Sequence, residues 1–298
     1  MTIRTRTCQR LAGGIVPLLL ALTSVVWAQA PQPAKGDAKR GEYLSKAGGC
    51  LGCHTEEKQG AVAYAGGRAL KTPFGTFYGP NITPHPDAGI GKWSEANFFR
   101  AMREGKRPDG ANYFPAFPYP SFTAINDTDL RDLFAYLKSL PANAQPSRAH
   151  ELRFPFNVRF GVTFWKMLYF KPGAFIPDAK LSEQLNRGNY LTNALGHCGE
   201  CHTPRNFMGG PRKDRFLAGG MGPEGKEIPN LTPARLKKKW GDKDLTDFLA
   251  SGLTPDGDEP SAAMREVITN TTGHLTPADL AAMIAYLRSL PPIEDEKK

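Results

Sequence analysis

Two stretches of the chain repeat apolar side chains every three or four positions, the mark of a helix with one buried face. Leu130, Leu133, Phe134, Leu137 and Leu140 form the first stripe, and Leu280, Met283, Ile284, Leu287 and Leu290 the second. Thr276 is placed to cap the second helix with Pro277 in its first turn, while Pro141 and Pro291 stop the two. Ser94 is placed to cap another helix over residues 95–104, which Gly105 ends. Few stretches alternate with period two, so no sheet is expected and the pattern predicts an all-α chain.

Two apolar runs stand apart from this pattern. Residues 11–27 follow Arg4, Arg6 and Arg10 and precede Ala28-Gln29-Ala30. That is the layout of a secretory signal peptide over residues 1–30, cleaved after Ala30, rather than an anchor helix. The second run, residues 154–176, carries eight aromatic side chains but is broken by Arg159, Lys166 and Lys171 and bracketed by Pro155 and Pro172. It is unfit to span a bilayer. It reads as a helix packing two parts of the molecule together, with a membrane-surface or partner contact as the sharper alternative.

The parts themselves are copies. Arg40-Gly41-Glu42-Tyr43-Leu44 returns as Arg187-Gly188-Asn189-Tyr190-Leu191, and Pro80-Asn81-Ile82-Thr83-Pro84 as Pro229-Asn230-Leu231-Thr232-Pro233. Pro108-Asp109-Gly110 returns as Pro255-Asp256-Gly257, and the closing helices share Ala-Tyr-Leu before Pro141 and Pro291. Counted from Cys50, the last three landmarks begin 30, 58 and 85 residues on; counted from Cys198, they begin 31, 57 and 87 residues on. Such regular spacing predicts two copies of one domain. Gly41 and Gly188 would let each opening helix approach the closing one across Tyr136 or Tyr286.

Composition sharpens the chemistry only through cysteine. The 298 residues carry five cysteines, and four of them fall into Cys50-Leu51-Gly52-Cys53-His54 and Cys198-Gly199-Glu200-Cys201-His202. Cys8 leaves with the leader. A Cys-x-x-Cys pair in an oxidising compartment could be a disulfide or a redox pair, but His directly after it reads as c-type haem attachment. One helical turn puts both thiols on one side, where they can add to two vinyl groups, and the imidazole then faces the iron. A zinc site would need further ligands, and only His85, His150 and His274 remain, at unrelated places in the two halves. Losing Arg4, Arg6 and Arg10 brings the formal charge from +9 to +6. Four haem propionates would lower it further, so the basic balance argues little for nucleic acid. Lys237-Lys238-Lys239 reads as a solvated face that could help dock an acidic redox partner.

Both halves resemble class I cytochrome c domains. The whole mature chain resembles dihaem cytochromes related to the cytochrome subunits of membrane-bound alcohol, aldehyde and gluconate dehydrogenases. The matching words include Thr72-Pro73-Phe74-Gly75-Thr76, Gly89-Ile90-Gly91-Lys92-Trp93-Ser94 and the run from Gly196 to Arg205 around the second motif. The resemblance implies an all-α fold of two tandem class I domains, residues 31–141 and 181–298, joined by a linker over 142–180. It also implies that the carbonyls of Pro80 and Pro229 hold the second ring nitrogens of His54 and His202. Those subunits carry a third haem domain and often a C-terminal membrane tail, whereas this sequence stops at Asp295-Glu296-Lys297-Lys298.

The sixth iron ligand divides the halves. Met264 lies between the Pro255-Asp256-Gly257 turn and the closing helix, where a thioether would reach the second iron. Met208 and Met221 sit too near the attachment motif, and Met283 lies in the apolar stripe. In the first half the related subunits carry methionine inside a Tyr-Pro-Ala-Met-Pro-Tyr-like word, but this chain reads Phe114-Pro115-Ala116-Phe117-Pro118-Tyr119. Met102, His85, Tyr113 and Tyr119 are weighed for that place and none is assigned. The site residues expected are therefore Cys50, Cys53, His54, Cys198, Cys201, His202 and Met264, with two covalently bound haem c.

The function expected is periplasmic electron transfer. A periplasmic or membrane-bound dehydrogenase would be the donor and another cytochrome or a terminal oxidase the acceptor. Peripheral membrane contact is allowed and nucleic acid is not expected. The rival class is a dihaem enzyme, processing thiosulfate or peroxide at an open first iron.

Overall fold

Besides Thr2, the computed structural model describes residues 35–222 and 225–296, with the side chains of residues 237–239 excepted. The predicted leader with Cys8, and the side chains of the Lys237-Lys238-Lys239 run, lie outside the described residues.

The first half opens at an aspartate. Asp37 accepts the backbone N–H groups of Lys39 and Arg40 at 2.9 and 3.2 Å and so starts helix α1 (Ala38–Ala47). Gly49, left-handed at φ 62°, turns the chain into the single-turn helix α2 (Cys50–His54). Further helices are α3 (Glu95–Glu104), α4 (Tyr119–Phe122) and α5 (Asp127–Ser139). Helix α3 has the expected ends: the Asn97 N–H donates to Ser94 Oγ at 3.2 Å, and Gly105 closes it at φ 58°. After α6 (Gly161–Tyr169), the second half repeats the plan with α7 (Glu183–Tyr190), which widens into a π turn over Leu191–Leu195, and α8 (Gly199–His202). It continues through α9 (Pro233–Lys239), α10 (Asp242–Ser251) and α11 (Ala262–Asn270) to α12 (Pro277–Ser289). Thr276 caps α12, accepting the Asp279 N–H at 3.2 Å.

Among the described residues, five short strands depart from the all-α expectation. β1 (Ala69–Thr72) pairs antiparallel with β2 (Gly75–Tyr78), β3 (Glu151–Leu152) adds to β2, and β4 (Gly220–Met221) pairs with β5 (Glu227–Ile228). None exceeds four residues, too short to register as a period of two. The β1–β2 turn is set locally, by the Thr72 hydroxyl donating to the Gly75 carbonyl at 2.8 Å.

Within each half the opening and closing helices cross at a glycine. A Cβ on Gly41 would lie 1.9 Å from the Asp132 carbonyl oxygen, and one on Gly188 2.0 Å from that of Ala282. The same glycines meet Tyr136 Cβ and Tyr286 Cβ at 2.8 and 2.7 Å, the pair of approaches the repeat anticipates. The apolar stripes of α5 and α12 then fill one continuous core. Leu44, Leu130 and Leu133 from the first half and Leu191, Leu195 and Leu280 from the second share that cluster. The described residues from Lys35 onward form one compact unit.

Candidate haem-attachment sites

Each attachment helix ends on its histidine, and the backbone beyond returns beneath it. His54 Nδ1 lies 2.7 Å from the Pro80 carbonyl oxygen, and His202 Nδ1 lies 2.7 Å from that of Pro229. A carbonyl only accepts, so Nδ1 carries the proton in both rings and Nε2 keeps its lone pair. Burial pushes both imidazoles below the ordinary value, with the carbonyl bond opposing it, so each is neutral at pH 7. The turn that supplies the carbonyl is tight. A Cβ on Gly79 would meet the Cys53 carbonyl oxygen at 1.7 Å, so only glycine lets the chain pass there.

The repeated Pro-Asn-(Ile/Leu)-Thr-Pro word explains how that carbonyl is held. Asn81 Oδ1 accepts the Thr83 N–H at 2.9 Å while its Nδ2 donates to the Asn143 and Gln145 carbonyls, both at 2.8 Å. Asn230 does the same for Thr232 at 2.7 Å and donates to Ile293 at 2.7 Å. Each loop is thus stitched to the segment leaving its own closing helix.

The four thiols are free. Burial pushes Cys50 and Cys198 up to about 12 and Cys53 up to about 11, and raises Cys201 as well. Neutral, unpaired thiols one helical turn apart, beside an imidazole with a free Nε2, are the donor set that a covalently attached haem requires. Among the described residues no three His, Cys, Asp or Glu side chains gather as a metal site.

The distal candidates differ as their sequences do. Met264 is the third residue of α11, half-buried, one turn before buried Ile268 and so on the core-facing side of that helix. In the first half Phe117 sits among Tyr113, Tyr119 and Phe122, with ring centroids 5.3–6.3 Å apart. Met102 is 5% exposed within α3. His85 Nδ1 accepts the Asp87 and Ala88 N–H groups at 3.3 and 3.1 Å, which ties the ring into its own turn. Burial raises both Tyr113, to about 12, and Tyr119. The Tyr119 hydroxyl is fully buried and has no hydrogen-bond partner.

What the motifs alone did not reveal is that each half leans on the other's site. Helix α11 packs against α2: a Cβ on Gly52 would stand 3.3 Å from Glu266 Oε1, and Glu266 pairs with Arg68 of the first half at 2.7 Å. In the opposite sense, Ser121 of α4 donates to Glu200 of α8 at 2.9 Å, and Glu200 pairs with Arg205 at 2.6 Å. A carboxylate paired with an arginine therefore lies beside the second cysteine of each motif. The tyrosines of the repeat cross over too. Tyr43 donates to Asp279 at 2.5 Å and Tyr190 to Asp129 at 2.6 Å, while Arg187 and Arg40 hold the same two aspartates from within their own halves. The duplicated Arg-Gly-x-Tyr-Leu words carried that signal, since both arginine and tyrosine recur.

A cytochrome c family model matches residues 38–141. The chain is 41% identical to a dihaem c-type cytochrome of Cereibacter sphaeroides, over 95% of this chain and 99% of that protein. It is 39% identical to the fructose dehydrogenase cytochrome subunit of Gluconobacter japonicus, over 92% of this chain but 57% of the relative. It is 42% identical to one subunit of the nicotinate dehydrogenase of Pseudomonas putida, over 85% of this chain and 21% of the relative. The chain thus spans nearly all of the first relative and little more than half, or a fifth, of the other two.

Proposed function

Because the chain belongs to the dihaem c-type cytochromes, we propose that it is an electron carrier holding two covalently bound haem c groups, one in each of two tandem class I domains (residues 31–141 and 181–298, joined by 142–180). The observation that carries this reading is the pair of His Nδ1–Pro carbonyl bonds, both 2.7 Å, each behind a Cys-x-x-Cys-His helix. Haem c supplies a one-electron couple at its iron when bound there. The chain does the rest. Cys50 and Cys53, and Cys198 and Cys201, would hold the macrocycles by thioether bonds, and His54 and His202 would present Nε2 to the irons. The Pro80 and Pro229 carbonyls fix those rings and raise their basicity. Met264 would supply a thioether to the second iron, which would raise its potential and suit a late acceptor.

The donor in this reading is a dehydrogenase, since relatives of this chain are cytochrome subunits of fructose, alcohol and gluconate dehydrogenases. The acceptor is a further cytochrome or a terminal oxidase, and the expected leader supports exchange in the periplasm. No described helix is long and apolar enough to cross a membrane.

One observation favours a second reading. Phe117 stands where related subunits place a ligating methionine, and the buried Tyr119 hydroxyl nearby is unpartnered. A dihaem enzyme working at an open first iron would use such a site. Carbon monoxide separates the two. A carrier with both irons closed leaves the dithionite-reduced spectrum unchanged on adding the gas. Binding to about half the haem, rising further in Met264→Ala, would replace the carrier with the enzyme.

A further inference from the structure

The segment between the halves is built inside out. Helix α6 buries Val162 against Phe77 and Phe114 and turns its cation inward: the Lys166 ammonium donates to the Glu104 carbonyl and to Asn112 Oδ1, the latter at 2.9 Å. Arg159 also points in, donating to the Asn112 carbonyl at 2.6 Å with its guanidinium 4.3 Å from the Phe114 ring centre. What faces outward is apolar. Phe160, Phe164, Met167 and Leu168 recur at i, i+4, i+7 and i+8, one stripe of the helix, and are 69%, 54%, 76% and 61% exposed. Phe154 and Ile176, at either end of the segment, are 81% and 84% exposed.

Scattered exposed apolar residues need no explanation, but a contiguous stripe on a helix whose charges have been turned inward does. The rim identifies the cover. No aspartate or glutamate occurs between Glu151 and Asp178, whereas Arg153 and Lys171 are exposed on this segment. The stripe itself carries no hydrogen-bonding side chain, while a protein interface of any size is threaded with hydrogen bonds. At nine residues, roughly 13 Å, the helix is too short to span a bilayer but suited to lie in its surface.

We propose that this face seats on an anionic phospholipid surface. Helix α6 lies in the interface plane, its stripe reaches the acyl boundary, and Arg153 and Lys171 meet the phosphates. The inference is independent of the electron-carrier reading. It adds a membrane-binding surface within the segment that joins the halves.

Phe156 and Phe164 also line a groove of about 1250 Å³ that Cys201 borders, so the test leaves them alone. Holoprotein is sedimented with vesicles of phosphatidylcholine alone or with phosphatidylglycerol. The wild type should bind the anionic vesicles, more weakly as salt rises. The F160S/L168S double variant should bind them at least about tenfold more weakly, with an unchanged haem spectrum. The R153Q/K171Q pair, which leaves every apolar contact in place, should weaken binding to anionic vesicles alone. Absence of binding by the wild type overturns the proposal, as does binding that survives both variants. Light scattering that finds a dimer dispersed by F160S/L168S would instead assign the stripe to a second copy of the chain.

Discussion

The proton on Nδ1 of His54 has one acceptor, the Pro80 carbonyl, and the arrangement recurs at His202 and Pro229. The orientation of each imidazole is therefore set by backbone that side-chain substitution cannot easily remove. The distal side is more exposed to change. Replacing Met264 with alanine should lower one of two reduction potentials and leave the other in place, read by optical redox titration. Two unmoved potentials would remove Met264 from the second iron. The two Cys-x-x-Cys-His motifs can be read directly from the sequence, because thiol spacing and an adjacent imidazole are local chemistry, and the structure adds the backbone carbonyl behind each imidazole. The Tyr119 hydroxyl was not: its isolation depends on which rings and helices surround it, and that is decided by the fold.

At the level of elements, sequence and structure agree where a helix end is written in side chains. Ser94, Gly105 and Thr276 all act as caps or stops, and Gly41 and Gly188 are the crossing points. The strands were missed because they are only two to four residues long. The contact of α11 with α2 was missed because it joins residues about 200 positions apart, a pairing no periodicity records. That contact has an electrical consequence. Burial raises the Glu266 carboxyl, while the Arg68 guanidinium pulls it back down. Beside Cys53, this carboxylate would favour the oxidised, more positive state of a haem held at the first motif. Glu266→Gln should therefore raise the first haem's potential, the wave that Met264→Ala leaves in place, although the residue belongs to the second half. A shift confined to the other wave would show that α11 serves only its own half.

Across the whole molecule the two halves exchange tyrosines. Tyr43 also accepts the Thr276 N–H at 3.3 Å, and Tyr190 the Asn126 N–H at 3.1 Å, so each opening helix helps cap the other half's closing helix. Tyr190→Phe, which deprives Asp129 of one donor and leaves it Arg40, should cost about 1.5–3 kcal/mol in denaturant unfolding. Burial alone would raise the Asp279 carboxyl, but hydrogen bonds from Arg187 and Tyr43 hold it below the usual carboxylate range. A carboxyl depressed on folding adds stability above its unfolded pKa, about 3.9, and that stability is lost as pH falls through the folded value. Thermal unfolding of the wild type should thus fall away below about pH 4 more steeply than that of Asp279→Asn. Parallel pH curves would remove this crossover from the acid response. The most direct test of the account as a whole is the intact mass of the exported, denatured holoprotein. It should equal the polypeptide cleaved after Ala30 plus two haems, and one haem fewer in a C198A/C201A variant. A wild-type mass with one haem or none would contradict the account at its centre.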